Sequence, residues 1–408
     1  MGFGQGLSGL NAASQELDII GNNIANSGTV GFKSASATFA DVYANSKVGL
    51  GVQTSSVNQR FSIGTVSGTG NQFDMAIDGA KGFFRMQDSS GNVLYTRNGQ
   101  FFADKENYIV NAQGQRLTGY GPTGTDLTPI RIPVGNIPPR ATDAVSTSTN
   151  LDANAEPIDP AAAPFDPADP DSYTHSLPIT VYDSLGNPHQ LTQYFVKRES
   201  DPAATPGQSE WDVYYRLDGN AIDPPLDTSP AQLSFSSSGV LLGGTTQTLA
   251  IANPGGANSP ADDLSIDLSY AGSTQFGGDF APDFSQTGYA TGEYAGISIG
   301  EDGAIVANYT NDQTQVVGYI ALADFNNLQG LQPVGGNAWV ESAASGQPVM
   351  GRPGSNGLAT IQGQSVEESN VDMSQELVNM IIAQRTYQAN AQTIKTQDQV
   401  LQTLITMR

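Results

Sequence analysis

The chain has 408 residues, of which 38% are hydrophobic and only 14% charged, with 46 glycines, 15 tyrosines and 16 phenylalanines. That is enough material for several domains with cores, and too aromatic for a disordered chain. A net charge of −23 argues against nucleic acid and anionic membrane as partners, because phosphate binding needs a basic patch. Cysteine is absent, so disulfides, thiolate catalysis and Cys-ligated zinc are excluded.

The first segment carries Leu7, Leu10, Leu17 and Ile24 on a 3-4 heptad spacing, with Ser14 and Gly21 between them. This predicts a thin amphipathic helix, roughly 30 Å long for some 20 residues. A helix that short is marginal in water and is expected to be ordered only against a partner. Gly4, Gly6 and Gly9 match G-x-G-x-x-G, but no strand precedes them, so they are expected to serve close packing and not a nucleotide. The N-terminus has neither the basic region nor the apolar run of a cleaved signal, and no 18-residue apolar run occurs anywhere, so no membrane insertion is expected.

From Gly82 the pattern turns to short strands: Phe83 to Met86, a turn at Asp88 to Asn92, then Val93 to Thr96. Tyr108 to Asn111 begins a similar unit. Residues 156–171 hold Pro157, Pro160, Pro164, Pro167 and Pro170 among aspartates, which predicts a linker or extended arm. Ile179 to Tyr182, a turn at Ser184 to Asn187, and Leu191 to Val196 form the most legible hairpin. Between Thr147 and Gly288 the chain carries 19 acidic and 3 basic residues, which marks off an all-β insert with an acidic outer surface. Its histidines, His175 and His189, are the only two in the chain, and they are expected at the surface, as no nucleophile elbow or metal-ligand spacing accompanies them.

The last segment repeats by 3 and 4 without a break through Leu377, Met380, Gln384, Tyr387, Ala391, Ile394, Asp398, Leu401 and Ile405, after Asn370 or Asp372 as N-cap. Val378, Ile381, Ile382, Val400 and Leu404 widen the stripe, so this helix is expected to meet more than one neighbour. Its six charges from 372 to 408 cancel, which lets copies lie side by side.

The predicted fold class is multidomain and mainly β with α-helical termini. The ends, 1–28 and 372–408, should pair as a coiled coil, with each other or with neighbouring copies. Segments 29–70 and 359–371 should link them to a discontinuous β domain, 71–146 with 289–358, and 147–288 should form the inserted outer domain. No enzyme site, cofactor or metal is expected, and assembly is the predicted role.

Leu17 to Asn26, with Asn22, Asn23 and Asn26 leading into Gly31, Phe32 and Lys33, resembles the N-terminal signature of bacterial flagellar rod, hook and hook-associated proteins. Glu376 to Arg385, followed by Tyr387 to Asn390, resembles their C-terminal helix. Gly82-Phe83-Phe84, Tyr95 to Gly99 and Leu117 to Tyr120 are similar to the shared β domain, and Val181 to Asn187 with Tyr194 to Lys197 to the outer domain of the hook branch. The resemblance implies a subunit of a curved helical tube, a flexible joint that passes torque from rod to filament around a central channel. Implied partners are further copies of itself, the hook cap, the distal rod protein, the hook–filament junction protein and the flagellar type III export apparatus. It also implies an extracellular location, reached without a cleaved signal, and it makes Phe39 and Tyr43 an export-gate motif. The implied assembly seam is Leu7, Leu10, Leu17, Ile24, Leu377, Met380, Tyr387, Ile394, Leu401 and Ile405. A distal rod component, and more remotely a secreted β-domain adhesin, stay open as alternatives.

Overall fold

The computed structural model describes residues 3–42, 49–199, 207–222 and 230–406. Among them the fold is mainly β, with one long helix at each end: α1, Phe3–Ala25, and α2, Met373–Thr406. The chain divides into two compact units, Met1–Val134 with Ala295–Asn308 and Thr314–Arg408, and Gly135–Tyr294 with Tyr309–Gln313.

In the first unit the two helices run antiparallel, since Gly6 lies against Ile394 and Asn23 reaches Glu376. α2 begins where Asp372 accepts from the backbone N–H groups of Ser374 and Gln375 at 2.9 and 3.1 Å, which satisfies two donors that the helix itself leaves open. Two strands follow α1: β1, Ala35–Asp41, pairs antiparallel with β2, Val52–Gln59, across a bulge at Thr38 and Phe39. The hairpin lies along α1, where Gln5 donates to the Gly49 carbonyl at 2.5 Å and Val52 N–H to Ser8 Oγ at 3.3 Å.

The body of the unit is a 13-stranded sheet. Strand Phe83–Gln87 pairs with Val93–Thr96, Arg116–Tyr120 and Leu322–Asp324, so residues far apart in sequence share one sheet. The turn at Asp88 to Asn92 closes because Asp88 Oδ1 accepts from Ser90 and Asn92. Phe61, Phe83, Tyr95, Phe325 and Trp339 meet edge to face, with ring centroids 4.8 to 6.2 Å apart.

The second unit contains the acidic stretch and is a two-sheet sandwich. One sheet is built on His175–Tyr182, Pro188–Lys197, Gln208–Leu217 and Ala231–Ser236; the other on Ala144–Asp152, Thr246–Ile251 and Leu264–Ser269. Alternate residues of both sheets, among them Ile179, Phe195, Trp211, Leu249 and Ile266, supply a single core. Tyr270 joins the sheets through its hydroxyl, 2.8 Å from that of Tyr215 and donating to Gln193 Oε1 at 2.9 Å.

The proline-rich stretch is an arm packed on this unit, where Phe165 stacks on Tyr214 with centroids 4.2 Å apart and Arg216 covers its ring. One expectation about this unit needs correction: the histidines are not at the surface. His189 is buried, with Nδ1 2.7 Å from Asp218 Oδ2 and Nε2 3.5 Å from Asp183 Oδ2, because the strand pairing delivers Asp218 beside it. His175 is half-buried and stacks on Phe280 at 4.5 Å.

Candidate functional site at the paired chain ends

The polypeptide leaves α1 through a turn in which the Asn26 N–H donates to the carbonyls of Asn22 and Asn23. The Asn26 side chain repeats this, donating to the Asn22 carbonyl at 2.9 Å and to Asn22 Oδ1 at 3.0 Å. Asn23 is buried and turns the chain back on itself. Its Nδ2 donates to the Ala35 carbonyl at 2.8 Å and to Glu376 Oε1 at 3.3 Å, while its Oδ1 accepts from the Ala35 N–H at 2.9 Å. One side chain thus holds the exit of α1, the start of β1 and the first turn of α2 together.

Asn370 does the same from the other end. Its Oδ1 accepts from the Ser34 N–H at 2.8 Å, and its Nδ2 donates to the carbonyls of Arg60 and Ser62 at 2.6 and 3.2 Å. Gly31 has φ +71, and a β-carbon there would lie 2.6 Å from backbone atoms of Arg97 and Asn98. Only glycine fits such a position without strain. Phe32 is half-buried beside it.

Lys33 then enters a buried ion-pair node with Glu367 and Arg97. Its Nζ meets Glu367 Oε1 and donates to the Ser62 carbonyl at 2.7 Å; Arg97 Nη1 lies 3.3 Å from Glu367 Oε2. Burial pushes the Lys33 ammonium and the Arg97 guanidinium below their ordinary values, and the Glu367 carboxylate offsets this only in part.

The helices meet through small residues. A β-carbon on Gly6 would lie 3.1 Å from Ile394 Cγ1, and one on Gly9 would lie 2.9 Å from the Asn390 amide. Gly6, Ala13 and Ile20, seven apart, are the buried line of α1, and Ala383 is buried on α2. Of the expected seam, Ile394 is brought to this contact. Leu10, Leu17, Ile24 and Met380 are half-buried, whereas Leu7, Leu377, Tyr387, Leu401 and Ile405 stay exposed, with Ile405 at 75%. Phe39 is partly exposed on β1, and Tyr43 lies outside the described residues.

Sequence pattern alone did not reveal Glu367, Arg97 or Asn370 as members of this junction. Two charged side chains placed in strand-like stretches of a chain with so few charges were the available signal.

These ends match known sequences. Residues 5–33 match the flagella basal body rod protein family, and residues 362–407 the C-terminal region of the flagellar basal body rod FlgEFG proteins. Residues 76–152 match the flagellar hook protein FlgE/F/G D1 domain, and 150–289 the flagellar basal body protein FlaE D2 domain. Over 100% of both chains the sequence is 43% identical to the flagellar hook protein FlgE of Salmonella typhimurium and to that of Escherichia coli. The chain belongs to the flagellar hook protein family. The hook protein of Brucella suis is 32% identical over 99% of this chain and 98% of its own. In fold, the chain resembles the crystal structure of Helicobacter pylori flagellar hook protein FlgE2, with a TM-score of 0.56 and 15% identity over 74% of this chain and 100% of that one.

Membership in the hook family makes the chain a structural subunit of the bacterial flagellar hook, a component of motility and not an enzyme. Full-length identity to hook proteins sets aside the rod and adhesin alternatives. Among the described residues no helix is long and apolar enough to cross a membrane.

Proposed function

We propose that the chain polymerises with copies of itself into a curved, flexible tube whose terminal helices line a central channel. The observation that carries this is the set of uncovered apolar side chains on α2. Leu377, Val378, Ile381, Ile382, Val400, Leu401 and Ile405 are exposed in the single chain, on a helix whose inner contact is already satisfied by α1. Spread around more than one side of a 34-residue helix, they call for further helices beside it. A second copy fits, because the charges of α2 and its flanks cancel, and a heterologous contact that does not close into a ring produces a helical tube.

In this proposal Leu7, Leu10, Leu17, Ile24, Leu377, Met380, Tyr387, Ile394, Leu401 and Ile405 form the seam between and within copies. The acidic second unit faces outward, where uncharged polar and like-charged surfaces slide without locking as the tube bends and rotates. The tube joins the distal rod protein to the hook–filament junction protein, grows beneath a hook cap, and transmits torque. Subunits reach the extracellular space through the flagellar export apparatus without a cleaved signal, with Phe39 and Tyr43 offered to its gate.

The test is complementation of a bacterium that lacks its own hook protein. Restored swimming, with the intact chain recovered from sheared extracellular hooks and its N-terminus uncleaved, is expected. Straight rods, or a chain retained in the cytoplasm, would contradict the proposal.

A further inference from the structure

The second unit is strongly acidic, yet its charges stop along one stretch. Thr228 to Ala261 contain no Asp, Glu, Lys, Arg or His, although the wider span from Thr147 to Gly288 holds 19 acidic and 3 basic residues. The fold gathers this stretch at one corner of the sandwich. Leu241–Gly243 is an end strand of the first sheet and Thr246–Ile251 an end strand of the second, so the chain crosses between the sheets here without a charge. Val240 bridges to Thr274, and the Gln275 N–H donates to the Gly239 carbonyl at 2.9 Å, which brings Phe276 to the same corner. The approach is close: a β-carbon on Gly239, where φ is +77, would lie 2.8 Å from the Phe276 ring.

Three large apolar side chains stay uncovered there. Val240, Leu242 and Phe276 are 55%, 54% and 53% exposed, while Leu241, between the first two, packs against the core. Exposed hydroxyl residues, Ser237, Ser238, Thr245 and Thr246, flank them in sequence. End strands of soluble β proteins are normally guarded by charge, because their unpaired backbone groups recruit other chains. This unit, with carboxylates elsewhere in abundance, leaves the corner unguarded. An apolar centre with an aromatic ring, depleted of charge, has the composition of an interface core.

The charge pattern also selects the occupant. A basic partner would be drawn to the acidic faces and would gain nothing from a neutral corner. A copy of this chain, itself acidic, is repelled except where it meets no charge. We propose that the corner formed by Val240, Leu242 and Phe276 is where the second unit of one copy packs on the second unit of another. The contact presupposes that the chain self-assembles, and it adds the place at which two acidic units meet.

The chain has no cysteine, so Leu242→Cys in the full-length protein carries a photo-crosslinker at one defined position. Leu185→Cys, 48% exposed and outside the charge-free stretch, is the control. Tubes formed by salting-out are irradiated, dissolved and resolved by denaturing electrophoresis, and the joined peptides are mapped. Covalent dimers are expected from Leu242→Cys, joined to residues 135–294 of the second copy, and few from Leu185→Cys. Leu242→Asp should raise the protein concentration at which assembly begins by about tenfold or more, and Leu185→Asp by less than about twofold, with Trp211 fluorescence unchanged in both. Tubes whose Leu242→Cys chains stay uncoupled, or couple only to residues 1–134 or to α2, would overturn this contact and leave self-assembly standing. Equal effects of the two Asp variants would do the same. A chain that forms no tubes would overturn self-assembly and this contact with it.

Discussion

Asn23 pairs with Ala35 as one strand residue pairs with another, its side-chain amide giving and taking a hydrogen bond at 2.8 and 2.9 Å. The chain therefore reverses between α1 and β1 with its backbone groups satisfied. Asn23→Leu keeps the volume and removes all three bonds, leaving the Ala35 N–H and C=O unpaired. A loss of about 2–4 kcal/mol in urea unfolding of the first unit is expected, with the denaturant slope unchanged. A loss below about 0.5 kcal/mol would show that the side chain does not organise the turn.

Gly31→Ala should be the more severe change, although it adds one methyl group. The new β-carbon lies 2.6 Å from backbone atoms of Arg97 and Asn98, and φ is +71. Backbone cannot swing aside as a side chain can, so a cost of at least about 2 kcal/mol is expected. Gly28→Ala is the control, with nothing within 4 Å of its β-carbon, and should stay within about 0.5 kcal/mol. Similar thermal midpoints for the two variants would refute the close approach.

How much of this was legible depends on which physical signal carried each element. The helices were legible because α2 repeats apolar residues by 3 and 4 behind Asp372, and the hairpin of 179–182 with 191–196 because its residues alternate between core and surface. The β1–β2 hairpin was not, since Ala, Ser, Thr and Gln give no apolar alternation and the pair is held from outside by α1. The helix contact was displaced by one residue from the leucine spacing, because Gly6, Gly9 and Ala13 let the backbones approach while carrying little hydrophobic signal. The Lys33–Glu367–Arg97 node was invisible because its members are separated by hundreds of residues.

The second unit should lose stability in mild acid through His175. Burial beside Phe280 pushes its pKa below 6.5, and the Asp152 charge opposes this only in part. As pH falls past that value the unfolded chain takes up a proton that the folded unit refuses, so the unfolded state gains. Stability is then flat above about pH 7 and declines below it, until the ring protonates in the folded state too. His175→Phe should flatten the urea midpoint, followed by Trp211 fluorescence, between about pH 5 and 7. An unchanged slope in that variant would assign the decline to other groups.

Leu401→Asp separates folding from assembly. Leu401 is 48% exposed in the single chain, so the monomer should lose no more than about 1 kcal/mol. In the proposed tube the same carboxylate would enter a packed apolar seam at a cost of several kcal/mol, multiplied over every subunit. Sedimentation of the purified variant under assembly conditions should find it in the supernatant while its circular dichroism matches that of the unmutated chain.

The most direct measurement is negative-stain electron microscopy of the purified full-length chain concentrated by salting-out, beside the same chain cut after residue 372. The full chain is expected to form curved tubes with a central channel and the shortened chain none, although both keep their β units folded. Tubes from the shortened chain, or only amorphous aggregate from the full one, would contradict assembly through the paired terminal helices.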